Sequence, residues 1–137
     1  MSRTISASER ETIALGRDLA RTVRTGDVVL LSGPLGAGKT AFVRGIAEGL
    51  GCNPDAVSSP TFTLIQEYQG PVSLQHVDLY RLTPPEVDDL GLEELLEDNV
   101  VAVEWADRWA NPPAGAIQVV IAPLGDDLRA ITILRPS

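Results

Sequence analysis

The segment that most constrains this chain is Gly33-Pro34-Leu35-Gly36-Ala37-Gly38-Lys39-Thr40. It follows the short apolar run Val28-Val29-Leu30-Leu31 and precedes a stretch with helical periodicity. A glycine, four residues, then glycine, lysine and threonine is the spacing of a phosphate-binding loop. Glycines let the backbone curl until its N–H groups point inward at phosphate oxygens. The helix that follows turns its positive dipole end toward the same anion. In such a loop the lysine reaches the β- and γ-phosphates and the threonine hydroxyl ligates magnesium. A merely glycine-rich turn needs neither flank, and here both are present. The pattern predicts a strand–loop–helix unit that takes ATP with Mg2+. Gly33, Leu35, Gly36, Ala37, Gly38, Lys39, Thr40 and Ala41 are its nucleotide-binding residues.

The rest of the chain reads as alternating helix and strand signals. Ser8-Glu9-Arg10-Glu11 is a capping box, so a helix is expected to about Arg24, with Leu15, Leu19 and Val23 buried and Gly26 as its stop. A second helix is expected from Lys39 to about Leu50, stopped by Gly51. Val28–Leu31 and Val100–Val103 are continuous apolar runs, expected as strands buried on both faces. Strands are also predicted at Thr63–Tyr68 and Val72–Leu79 around a Gln69-Gly70-Pro71 turn. Ile117–Ala122 and Leu128–Leu134 form a hairpin around Gly125-Asp126-Asp127. Short helices fall after Pro84-Pro85 and near Leu92–Leu96. The fold class this implies is α/β: a three-layer, P-loop NTPase-like domain with a mixed, partly antiparallel sheet, spanning residues 1–137 as one domain.

A phosphate loop of this kind also needs a carboxylate at the end of a neighbouring strand for magnesium. Glu104 ends the run Val100–Val103, and Asp78 ends another in His76-Val77-Asp78-Leu79-Tyr80-Arg81. Ligands of open α/β sheets sit at that strand edge. One acid would serve the metal and the other would orient water or sense the γ-phosphate. The bland alternative for each is a solvated charge at a strand end. His76 is read as a packed or hydrogen-bonded structural histidine. Trp105 and Trp109, flanking a turn, are read as core, with a partner contact as the alternative. Ser59-Pro60-Thr61-Phe62 lies where P-loop proteins often keep a loop that reads the γ-phosphate.

Composition narrows the partners. Net charge is -8, whereas a protein gripping nucleic acid alone normally presents a basic face. Any nucleic acid is expected to be held mainly by a partner. The single cysteine, Cys52, permits no internal disulfide and is read as structural. No run approaches the roughly 20 apolar residues of a membrane span and the N-terminus has no signal pattern, so a cytoplasmic location without membrane contact is expected.

Taken together, Gly33–Thr40, Ser59-Pro60-Thr61-Phe62-Thr63-Leu64, His76–Arg81 and Val103-Glu104-Trp105-Ala106 resemble the TsaE family in order and spacing, over roughly residues 8 to 134. Thr12 and Gly16 of the first helix fit as well. The resemblance implies an ATPase that works with TsaD and TsaB to make threonylcarbamoyladenosine beside the anticodon of tRNA, with the transfer chemistry on TsaD. It implies catalytic roles for Lys39, Asp78 and Glu104, magnesium held by Thr40 and Glu104, and Ser59–Phe62 as a nucleotide-responsive loop. It also places Arg129 near the nucleotide and Glu9 and Thr12 near its base. Pro34 departs from the family, many members of which carry an acid there. Two rival functions remain open from the residues. One is a nucleotide-sensing module without significant catalysis. The other is a small-molecule kinase, which the acidic stretch from Pro84 to Asp98 disfavours because such enzymes usually need a basic lid.

Overall fold

The structure, a computed structural model, describes residues 2–34, 36–53, 55 and 65–136. The expected switch loop Ser59–Phe62 and the loop residue Leu35 lie outside the described residues. Seven strands form one sheet in the order β1-β7-β6-β2-β5-β4-β3. They are β1 (Ser2–Ser6), β2 (Val28–Ser32), β3 (Ile65–Tyr68), β4 (Ser73–Asp78), β5 (Asn99–Glu104), β6 (Ile117–Gly125) and β7 (Leu128–Leu134). The centre is parallel: β2 pairs with β5 and β6, and β5 with β4. Both flanks are antiparallel, through β1–β7–β6 and β3–β4. The mixed sheet agrees with the fold class expected from the sequence.

Alternation in the two central strands explains the layers. In β2, Val29 and Leu31 face one core while Val28 and Leu30 face another; in β5, Val100 and Ala102 oppose Val101 and Val103 in the same way. Every residue of β5 is buried. The first core is closed by α1 (Glu9–Ala20) and α2 (Lys39–Gly49), the second by α3 (Pro84–Asp88), α4 (Leu92–Leu95) and Trp109. Strands buried on both sides need no polar face, which is why they read as unbroken apolar runs.

The helix ends follow local chemistry. Ser8 Oγ accepts from the Glu11 N–H at 3.1 Å, and Glu11 Oε2 accepts from the N–H of Ala7 at 2.9 Å, one residue before the usual target of a capping box. α1 stops at Ala20, short of Arg24. The N–H groups of Arg21 and Thr22 bond three residues back, to Asp18 and Leu19, and the Thr22 hydroxyl also donates to Leu19 O. That tightened turn ends the helix, although Val23 still reaches the core. Gly26 is therefore not the stop; it sits in the turn before β2 and donates to Asn99 O at 3.0 Å. α2 stops, as expected, just before Gly51, whose φ is 84°. Its N–H bonds Glu48 O while the N–H of Cys52 bonds Ala47 O, the paired bonds of a Schellman motif.

α1 and α2 pack without side chains between them at two points. A Cβ on Gly16 would sit 2.2 Å from Phe42 O, and one on Gly45 would sit 2.0 Å from Ile13 O. This close approach lays the first turn of α1 beside the loop that opens α2. Strand β1 was not anticipated. Only Ser6 of its five residues is buried, so it has no apolar alternation to betray it.

Candidate functional site

Parallel pairing gathers the chemistry at one edge. β2, β4 and β5 all point their C-terminal ends the same way, and Glu104 is level with both Leu31 and Asp78. The loop Gly33–Gly38 leaves β2 at that edge and runs into α2. Gly38 takes φ 105° as the N-cap of α2, a conformation that suits glycine and gives no side-chain cap. The first turn of α2 has no acidic residue, whereas α1 has both a serine cap and Glu9 and Glu11. An uncapped N-terminus leaves backbone N–H groups seeking an acceptor, and a phosphate meets that need.

A cavity of about 380 Å³ opens in front of this turn, within the range of small-ligand sites. Glu9, Thr12, Gly36, Gly38, Lys39, Thr40, Ala41, Arg44, Glu104 and Arg129 line it. All but Arg44 were expected from the sequence. Arg44 is one helical turn beyond Thr40, so spacing along α2 puts it on the cavity side; it pairs with Glu9 at 3.1 Å. Arg129 reaches across from β7 to Gly36 O at 3.5 Å. Ala37 is fully buried in the first core and supports the loop from beneath. Pro34 O accepts from the Ala37 N–H at 3.1 Å, closing a turn within the loop.

Lys39 is the buried cation of the site, only 4% exposed. Its Nζ donates to Gly33 O at 2.7 Å and stands 4.0 Å from the centre of the Trp105 ring. Burial pushes its ammonium below the ordinary lysine value, while Glu104, Asp78 and Asp107 pull it back. Among the described residues its one hydrogen-bond acceptor is the neutral Gly33 carbonyl, and phosphate oxygens would supply charged ones. Trp105, half-buried, packs against the second core as expected and also reaches the site. It follows β5 in a left-handed turn, φ 58°, that carries its ring over Lys39 and against Tyr80 at 4.8 Å. Trp109 is core, 4% exposed.

Asp78 does not line the cavity wall. It ends β4 beside Glu104 and accepts from the Tyr80 N–H at 2.9 Å. Burial pushes its carboxyl above the ordinary aspartate value. The Tyr80 N–H opposes this, the charge of Glu104 adds to it, and His76 and Lys39 oppose it. His76 is fully buried and meets Glu104 through Nε2–Oε2 at 2.5 Å, in keeping with a hydrogen-bonded histidine. Among the described residues no group of three or more His, Cys, Asp or Glu forms a metal cluster. A magnesium that shares its shell with phosphate and water needs fewer protein donors, and the Thr40 hydroxyl and Glu104 carboxylate on one cavity are hard oxygen donors of the right kind. Cys52 is buried against the carbonyls of Tyr68 and Val72, and burial raises its thiol pKa, as suits a structural residue.

A strand, a glycine-rich loop and an uncapped helix at the C-terminal edge of a parallel sheet define the P-loop class of folds. The chain belongs, within that class, to the TsaE family: the family model described as threonylcarbamoyl adenosine biosynthesis protein TsaE matches residues 6–131. The tRNA threonylcarbamoyladenosine biosynthesis protein TsaE of Bacillus subtilis is 45% identical over 130 residues, covering 93% of this chain and 81% of the relative. The protein of the same name from Nostoc sp. is 42% identical over 133 residues, with the same coverages. That from Treponema pallidum is 39% identical and covers 96% of this chain and 98% of its own. Among solved structures, Bacillus subtilis YdiB superposes with a TM-score of 0.81 at 37% identity, covering 99% of this chain and 86% of that one. No described helix is long and apolar enough to cross a membrane.

Proposed function

We propose that this chain binds ATP with magnesium in the loop cavity and hydrolyses it as the ATPase of tRNA threonylcarbamoyladenosine synthesis, acting with a TsaD–TsaB complex that performs the transfer. The observation that carries the reading is the convergence on one cavity of an uncapped helix N-terminus, the desolvated Lys39 ammonium, the Thr40 hydroxyl and the Glu104 carboxylate. When bound, magnesium would neutralise charge on the β- and γ-phosphate oxygens. Lys39 would trade its bond to Gly33 O for phosphate oxygens. The loop N–H groups and Arg129 would hold the phosphate chain, and Glu9 and Thr12 would border the base. Thr40 and Glu104 would hold the metal. Asp78, beside Glu104 and partly buried, would orient the attacking water, a role felt in the transition state more than in binding.

Such a site completes its electrostatics only when mobile segments or a partner close on it, so turnover alone is expected to be slow. The acidic surface suits a basic, tRNA-bearing partner, with tRNA contacted mainly through that complex. The test is repeated-cycle modification of unmodified tRNA by purified TsaD and TsaB, with and without this protein and ATP. Sustained cycles that require both support the reading. Cycles that continue undiminished without this protein remove the partner role. Dependence on bound but unhydrolysed ATP would favour the nucleotide sensor instead.

A further inference from the structure

We infer that His76 is the positioning residue for Glu104: by donating from Nε2 to Oε2 it fixes the plane of the carboxylate and leaves the second oxygen for the cation. The inference rests on the magnesium reading above. His76 is fully buried, and the Glu104 side chain is only 6% exposed. The two residues are 28 apart in sequence and meet because β4 and β5 run parallel with His76 level with Ala102. That register puts His76, Asp78 and Glu104 on the sheet face shared with α2. Nε2 is the only hydrogen-bond partner of the Glu104 carboxylate among the described residues. An ionised carboxylate only accepts, so Nε2 bears the proton. Nδ1 has no partner among the described residues.

A histidine kept only for packing is a poor choice here. A leucine would fill similar space without an orphaned nitrogen, since buried polar atoms without partners are destabilising. The one bond that justifies an imidazole at this position is the bond to Glu104. Carboxylates that hold a metal are themselves hydrogen-bonded, and loss of such an outer partner typically weakens metal affinity or activity 10–100-fold. His76 does not line the cavity, so its effect on the cation runs through its bond to Glu104.

The experiment titrates magnesium against the affinity for a fluorescent, non-hydrolysable ATP analogue, with a parallel series in EDTA. It compares the parent, His76→Leu, His76→Gln, His76→Asn, Glu104→Gln and the His76→Leu/Glu104→Gln double variant. His76→Leu should leave affinity in EDTA unchanged and raise the magnesium concentration for half effect roughly 10-fold or more. His76→Gln, whose amide N–H has about the reach of Nε2, should return close to the parent, and the shorter His76→Asn should not. In the Glu104→Gln background, His76→Leu should add nothing. Superimposed titrations for parent and His76→Leu overturn the inference, as does an equal further shift in the Glu104→Gln background. If His76→Leu does not fold, the Gln and Asn variants decide it, and equal impairment of both overturns it. A parent with no magnesium response removes the magnesium reading itself and this inference with it.

Discussion

Replacing Gly16 by alanine should loosen the joint that holds the nucleotide site together. The new methyl would lie 2.2 Å from Phe42 O and 3.1 Å from both Ile46 N and Phe42 C. All three are backbone atoms of α2, so no side chain can rotate aside, and the helices must part by about 1 Å to restore contact distance. Overpacking of this kind destabilises by roughly 1–3 kcal/mol, and a rigid backbone obstacle belongs at the upper end. Alanine recovers about 1 kcal/mol over glycine in helix propensity. The net loss is then about 1–2 kcal/mol, or roughly 4–8 °C in melting temperature for a chain of this size. Because α1 carries Glu9 and Thr12 onto the cavity wall, ATP affinity should fall as well. Thermal unfolding by circular dichroism and ATP titration on the same samples measure both. Gly115→Ala is the control, since a Cβ there meets nothing within 4 Å; it should be neutral or stabilising by up to about 1 kcal/mol. A Gly16→Ala variant as stable as the parent would refute the helix contact and the positioning argument built on it.

Further outcomes follow from the acids at the strand ends. Glu104→Gln should keep its shape and lose its charge, weakening the magnesium dependence of nucleotide affinity; magnesium titrations identical to the parent's would remove Glu104 from the metal site. Asp78→Asn should bind ATP nearly as the parent does and hydrolyse it more slowly, and single-turnover kinetics at the parental rate would exclude it from catalysis. Asp78 also makes a pH prediction. Its folded carboxyl titrates above the ordinary value of 3.8, chiefly through burial, so between the two values the folded state binds more protons than the unfolded one. Stability should therefore fall as pH rises through that window. Subtracting urea-unfolding profiles of Asp78→Asn from those of the parent should isolate this slope, and a flat difference would contradict the assignment.

Much of the site was legible because its chemistry is local in sequence. The loop Gly33–Thr40 announces both its turn and its ligand, and the doubly buried runs Val28–Leu31 and Val100–Val103 placed the strands that flank it. What escaped depends on register or on backbone detail. The bond between His76 and Glu104 exists only because β4 and β5 pair in a particular register, which no spacing reveals. Trp105 reaches Lys39 through a left-handed turn that its residue type disfavours. The apolar stripe predicts a longer first helix than forms, because Val23 continues it beyond the point where Thr22 turns its hydroxyl back on the chain. Strand β1 follows from pairing with β7 and not from any pattern of its own.

The central claim is that the Lys39 cavity holds the phosphates of a magnesium nucleotide, and calorimetric titration of ATP into parent and Lys39→Met tests it most directly. Methionine keeps an unbranched apolar stem of similar length and removes the ammonium that lies over Trp105. With magnesium present, the parent should bind one ATP per chain. The variant should remain folded and lose at least one charge-assisted contact, roughly 1.5–3 kcal/mol, or about 10- to 150-fold in affinity. Equal affinities in the two folded proteins, or no ATP binding by the folded parent, would contradict the account.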